Sequence, residues 1–281
     1  MKVIGIDIGG TSINSAVVSE NKFEKEIHEK INAKGEREEI LNHLFSIIDR
    51  LIDKDIKAIG IGSPGIIDTK KGIISEIINI PSFNGIPLKQ ILEKKYNIPV
   101  IIDNDANCFA LGNKYFGKAK PYQNIVALIL GTGLGAGIII DNKLYHGNSG
   151  NAGEFGAIIF KEHHVAYYCS GQYFQDEFST TGEELYKKAE KKDEKALEIF
   201  EEFGNNLGKV LSIIVHSIDP EIIILGGSIS KAYKFFKNSM TESLKKHIFK
   251  KSYSKLKIEP SDMEHIAILG AASLYYDSLK K

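Results

Sequence analysis

Val3-Ile-Gly-Ile-Asp-Ile-Gly-Gly-Thr11 is an apolar run that ends in a carboxylate, two glycines and a hydroxyl. A strand read over Met1–Ile8 meets its hairpin partner, Ser12–Ser19, across Gly9-Gly10. The pattern returns at Ile125-Val-Ala-Leu-Ile-Leu-Gly-Thr-Gly-Leu-Gly-Ala-Gly137, where a strand read over 125–130 is followed by a glycine loop and a strand at 138–140. Helical stretches follow each copy. A strand–glycine loop–strand unit repeated in this way predicts two related α/β lobes facing each other across a cleft.

The rest of the chain fits that frame. Glu36–Lys54 reads as an amphipathic helix with Leu41, Leu44, Phe45, Ile48, Leu51 and Ile52 on one face. Strands are read at Lys57–Gly62, Ile98–Ile102 and Glu221–Leu225, and helices at Ala106–Tyr115, Ser230–Lys250 and Gly270–Leu279. Glu183–Ser217 reads as largely helical, with Gly204 and Gly208 marking either a break or a tight helix contact. The domain boundary falls in Phe116-Gly-Lys-Ala-Lys-Pro-Tyr-Gln123, which reads as a hinge. Residues 1–118 form the first lobe, joined by the last helix (269–281), and residues 119–268 the second.

Composition bounds the function. The chain has 281 residues, 43 % hydrophobic and 26 % charged, as a globular protein with a substantial core requires. Lys+Arg and Asp+Glu both number 36, so no basic excess points to nucleic acid or an anionic membrane. Cys108 and Cys169 read as free thiols of a reducing compartment. Asp7 interrupts the first apolar stretch, and no run reaches a bilayer-spanning length. The expected location is cytoplasmic.

Glycine-rich loops let backbone N–H groups approach phosphate oxygens with no Cβ in the way. Thr11 and Thr132 add hydroxyls, and Asp7 is placed to hold a magnesium ion through water. Gly9-Gly10 can equally be no more than a hairpin turn. Gly131-x-Gly133-x-x-Ala136 also matches a dinucleotide fingerprint, but that motif must open a helix, and here it runs into Gly137-Ile-Ile-Ile140. A Walker loop is excluded, since no Gly-Lys-Ser/Thr occurs. Asp103-Asn-Asp-Ala-Asn107 presents carboxylates at a strand end, where one could accept the proton of a sugar hydroxyl attacking a γ-phosphate. The same residues suit a helix N-cap, and both roles can be filled by neighbours.

Taken in order, the segments Asp7-Ile-Gly-Gly-Thr11, Gly62-Ser-Pro-Gly65, Asn104-Asp-Ala-Asn107, Gly131-Thr-Gly-Leu-Gly135, Gly150-Asn-Ala-Gly-Glu-Phe-Gly156, Asp219-Pro220 with Gly226-Gly227, and Leu269-Gly-Ala-Ala272 resemble the ROK sugar-kinase family. That family has the actin/hexokinase-like, ribonuclease H-like fold, and the likeness runs from about residue 2 to residue 275. The resemblance implies ATP and magnesium as cofactors, a homodimer, and transfer of phosphate to the 6-hydroxyl of a hexose. It implies that Asp105 is the general base, and that Asp7, Gly9, Gly10, Thr11, Thr132 and Gly133 hold the ATP phosphates and magnesium. Gly226 and Gly227 resemble the turn beside the adenosine. Gly65, Asn79, Asn104, Asp105 and Glu154 look like the sugar-binding residues.

The chain departs from the family at its zinc motif. The family's histidine after Gly-Glu-Phe-Gly is Ala157 here, and its three-cysteine segment reads Tyr167-Tyr-Cys-Ser-Gly-Gln-Tyr-Phe-Gln-Asp176, with one cysteine. Cys169 with His163 and His164 is a thin set for a four-coordinate ion, so no structural zinc is expected. Tyr167, Tyr168, Tyr173, Phe174 and Phe178 are expected to pack the segment instead. Asp176, or else Glu177, takes the place of the family's sugar-binding glutamate. The zinc-less pattern resembles bacterial N-acetylmannosamine kinases of sialic acid breakdown, with glucose as the alternative substrate. Sugar-responsive repressors of the family carry a helix-turn-helix ahead of the first loop, for which a loop beginning at residue 7 leaves no room. A kinase-dead sugar sensor is the non-enzyme alternative.

Overall fold

The computed structural model describes residues 1–19 and 22–280. The chain divides into two compact units: Met1–Pro121, Lys143–Ala152 and Met263–Lys281 form the first, and Tyr122–Asn142 with Gly153–Asp262 the second.

In the first unit a five-stranded sheet runs in the order Lys22–Lys30, Ser12–Ser19, Lys2–Ile8, Ile56–Ser63, Val100–Asn104. The first three strands pair antiparallel as a meander, and the last two add in parallel. The parallel strands are nearly all apolar because both faces are covered. Helix Arg37–Leu51 buries Leu41, Leu44, Ile48 and Leu51 as its periodicity predicts, together with Ile40 and Ile47. Phe45 and Ile52 stay partly buried at the margin. The opposite face is covered by the last helix, Ile266–Ser278, in such close contact that only glycine fits. A Cβ on Gly60 would stand 1.8 Å from the Ala271 carbonyl oxygen, and one on Gly270 1.8 Å from that of Cys108. The glycines inside apolar strands are therefore sites of close backbone approach.

Strand Lys22–Lys30 was not foreseen. Its sequence, Lys-Phe-Glu-Lys-Glu-Ile-His-Glu-Lys, is mostly charged, as an edge strand with little burial allows.

In the second unit Leu134–Ile140 pairs antiparallel with Ile125–Leu130, which is followed in parallel by Ile222–Gly226 and Lys257–Pro260. This hairpin-then-parallel order repeats that of the first unit. The strand read at 138–140 begins earlier, at Leu134, so Gly135 and Gly137 lie within it. The turn proper is Gly131-Thr-Gly133, closed by Gly131 N–H donating to the Gly133 carbonyl at 3.0 Å. The helical stretch 183–217 is two helices, Gly182–Glu190 and Glu194–Ile218. The break falls at residues 191–193, where Lys192 is left-handed and Asp193 caps the second helix through Ala196 N. Gly204 and Gly208 make the tight contact instead: a Cβ there would sit 2.5 Å and 2.4 Å from the Phe236 and Met240 carbonyl oxygens of helix Tyr233–His247.

Candidate functional site

The candidate residues of the first unit collect at the carboxyl ends of its parallel strands, the usual ligand end of an open α/β sheet. Asp7 pairs in register with Gly62, and Gly62 with Asp103. Asn104 ends the last strand and caps helix Asp105–Tyr115: its Oδ1 accepts from Ala106 N at 2.8 Å. Its Nδ2 donates to the Gly65 carbonyl at 3.0 Å. Capping thus falls to Asn104, which leaves Asp105 as the first helical residue. There its Oδ1 accepts from Ala106 N at 2.9 Å, and burial pushes the carboxyl above the ordinary range. Asp7 is pushed up to about 6, chiefly by burial and further by the charge of Asp105, while a bond from Asn14 opposes the rise. Two half-buried carboxylates, each with a proton affinity raised by burial, suit a divalent cation, whose charge would offset both.

Gly9 and Gly10 form the tight hairpin, with Gly9 N–H donating to the Ser12 carbonyl at 2.8 Å. The exposed Asn79 lies against this turn: a Cβ on Gly10 would meet the Asn79 side chain at 3.0 Å. Thr11 is exposed beside it.

Sequence reasoning missed His146. Its Nε2 stands 2.6 Å from Asp103 Oδ2, and the carboxylate holds the imidazole above its ordinary pKa. Asp103, buried, also accepts from Asn107 Nδ2 and Asn104 N through Oδ1. The carboxylate beside the candidate base is thus a structural anchor that fastens the segment Lys143–Ala152 to the strand end. Nothing in the sequence pairs a lone histidine with an aspartate 43 residues earlier.

In the second unit, Gly131 and Thr132 line an open pocket of about 890 Å³ with Ser228, Ile229, Thr181 and Asp176. A Cβ on Gly131 or Gly133 would meet nothing within 4 Å, and neither residue needs a left-handed backbone. The fold does not require glycine at either position, which leaves room for a ligand to lie against the main chain. Gly227 differs, having a positive φ of 82° and a position where a Cβ would stand 2.3 Å from the Leu130 carbonyl oxygen. Gly226 ends the neighbouring strand, and the two lead into Ser228 at the pocket. Ser170 Oγ donates to the Thr132 carbonyl and Gly171 N–H to that of Gly131, so the next segment supports this turn. Asp176 shares the pocket of Thr132, whereas Glu177 accepts from the Tyr167 hydroxyl at 2.6 Å. Glu154 is exposed, at the start of the short helical turn Phe155–Ala157.

The segment that replaces the zinc motif is packed by aromatic rings. Tyr168 contacts Tyr167 and Tyr173, and Tyr173 contacts Phe174 and Phe178, in tilted or edge-on pairs. His163 stacks on Tyr167 at 4.1 Å, and His164 Nδ1 accepts from Tyr167 N. Cys169 is fully buried with its thiol pushed up by desolvation, which opposes the thiolate form that zinc requires. Ala157 offers no ligand. These residues do not fit a structural zinc.

The ROK family model matches residues 3–278, and the chain belongs to that family. A glucokinase of Thermotoga maritima is 29 % identical, over 98 % of this chain and 97 % of its own length. An N-acetyl-D-glucosamine kinase of Histophilus somni is also 29 % identical, over 96 % and 98 %. A xylose repressor of Caldicellulosiruptor bescii is 30 % identical over 95 % of this chain and 76 % of its own length. Among solved structures, a ROK glucokinase from Streptomyces griseus in complex with glucose and AMPPNP superposes with a TM-score of 0.81 at 26 % identity, covering 98 % and 99 %. A Listeria monocytogenes protein provisionally assigned as an N-acetylmannosamine kinase superposes at 0.84 with 24 % identity over all of both chains, a likeness of fold. No helix among the described residues is long and apolar enough to cross a membrane.

Proposed function

We propose that this chain is an ATP-dependent sugar kinase that phosphorylates the 6-hydroxyl of a hexose. The carrying observation is Asp105, half-buried at the start of its helix with its pKa raised by burial, next to Asn104, and close enough to Asp7 for its charge to raise that carboxyl too. A carboxylate with raised pKa is a stronger base than an ordinary one. Asp105 accepts the proton of the sugar's 6-hydroxyl as that oxygen attacks the γ-phosphorus, and the bond to the β,γ-bridging oxygen breaks. Gly65, Asn79, Asn104, Glu154 and Asp176 are the proposed sugar contacts. Asp176 lines the same pocket as Thr132.

Gly9, Gly10, Thr11, Thr132 and Gly133 would hold phosphate oxygens. Gly226 and Gly227 would position Ser228 beside the adenosine. Bound through water to Asp7, magnesium would supply the positive charge that neutralises the phosphates.

N-acetylmannosamine is the preferred substrate, with glucose as the alternative. The preference rests on the zinc-less aromatic segment and on the relative that acts on another N-acetylated hexosamine. A cytoplasmic homodimer completes the reading. The test is ADP release with magnesium across N-acetylmannosamine, N-acetylglucosamine, mannosamine, glucose, mannose and fructose. Preference for N-acetylmannosamine supports a catabolic kinase, and preference for glucose a glucokinase. No turnover on any sugar would replace the kinase by a sugar sensor.

A further inference from the structure

Away from these residues, Glu26, His28 and His265 gather on the surface of the first unit. Each offers one ligand atom, and the three atoms lie within 4.8 Å of one another. Glu26 and His28 are two apart on the edge strand Lys22–Lys30, so their side chains share a face. His265 precedes helix Ile266–Ser278 in a left-handed conformation (φ 54°, ψ 25°), which brings its ring to 5.2 Å from that of His28.

The hydrogen bonds fix the direction of His28. Asn14 Nδ2 donates to the Asp7 carboxylate at 3.4 Å, which turns Asn14 Oδ1 towards His28 Nδ1 at 3.0 Å. An amide oxygen can only accept, so Nδ1 carries the hydrogen. In the neutral ring Nε2 is then a bare lone pair, and it faces Glu26 Oε2 at 3.5 Å. Two acceptors this close, with a second imidazole beside them, repel unless a proton or a cation lies among them. A ligating histidine usually donates its far N–H to a carboxylate, a backbone carbonyl or water, and the Asn14 side-chain oxygen is an acceptor of the same kind. Tetrahedral ligands at bond lengths of about 2.1 Å are about 3.4 Å apart, close to the Glu26–His28 separation. Exposed side chains can close the remaining gap by rotation.

We propose that Glu26, His28 and His265 form a binding site for a divalent cation of the zinc class. Two imidazoles and one carboxylate select Zn²⁺, Co²⁺ or Ni²⁺ over the oxygen-seeking Mg²⁺. Water fills the fourth position. Bound there, the ion clips the edge strand to the start of the last helix, joining residues far apart in sequence. This assignment is independent of the kinase reading.

The test is titration of the full-length protein with Co²⁺ and with Zn²⁺, without nucleotide and with Mg²⁺ in excess to fill carboxylate-only sites. One equivalent should bind, with the visible absorption of tetrahedral Co²⁺, and the melting temperature should rise and fall back on chelation. Glu26→Gln, His28→Gln and His265→Asn should each weaken binding at least about 10-fold and abolish the thermal shift. Asn is chosen because it tolerates the left-handed backbone. The double variant His163→Gln/His164→Gln should bind as the parent does. Unchanged affinity in the first three variants, loss of binding in the last, or no binding below about 100 µM free metal would each overturn the assignment.

Discussion

Replacing His146 by Phe should destabilise the protein in a manner that depends on pH in one direction only. The ring is kept, but the donor facing Asp103 Oδ2 at 2.6 Å is lost. Asp103 retains its bonds from Asn107 Nδ2 and Asn104 N, so the carboxylate is not orphaned. A hydrogen bond between charged partners contributes about 1.5–3 kcal/mol and a neutral one about 0.5–1.5. His146 is 33 % exposed, so screening places the charged value near the lower end, about 1.5–2 kcal/mol. The folded pKa of His146 is raised by Asp103. Its contribution is therefore complete below the ordinary imidazole pKa of about 6.5 and declines as pH rises through the folded value. Thermal melts of parent and variant should differ by about 4–6 °C near pH 5.5 and by about 2 °C near pH 9, for a unit of this size. The double variant with Asp103→Asn should remove most of the pH dependence. A cost that is flat across the range, or larger at high pH, would refute the ion-pair assignment.

Three further outcomes follow from the same geometry. Asp105→Asn should keep the fold and reduce turnover about 10²–10⁴-fold, measured by ADP release at saturating sugar; near-parental turnover would remove Asp105 as the base. Asp7, raised from 3.8 to about 6 mainly by burial, costs the folded state stability as pH rises from the ordinary carboxylate value to about 6, and that stability stays lost above it, because its charge must then be carried in a desolvated place. Asp7→Asn should therefore melt higher than the parent at neutral pH without magnesium, by at most about 3 kcal/mol, and lose the stabilisation that magnesium with nucleotide gives the parent. Gly133→Ala has open space at Cβ and should fold normally while weakening ATP binding, whereas Gly270→Ala, with a Cβ 1.8 Å from a carbonyl oxygen, should express poorly or melt far below the parent. The opposite ranking in thermal melts would show that the glycines have been assigned the wrong roles.

The sequence by itself determined the repeat, most of the parallel strands and the identity of the glycine turns. These depend on apolar runs and on local turn chemistry, which are legible over a few residues. It also located Asn104 and Asp105 at a strand-to-helix junction, though not which of them caps. Tertiary structure decided the rest, including the order of the strands in each sheet. Strand Lys22–Lys30 is held at a sheet edge by its neighbour, and its own charged sequence carries little strand signal. Gly5, Gly60 and Gly270 are explained only by the passage of the last helix between the first sheet and helix Asp105–Tyr115, a contact between residues more than 150 apart. The bond from His146 to Asp103 and the grouping of Glu26 and His28 with His265 join side chains that no local pattern connects. A chain's periodicity records which face of an element is buried; which distant polar groups meet is settled only when the elements pack.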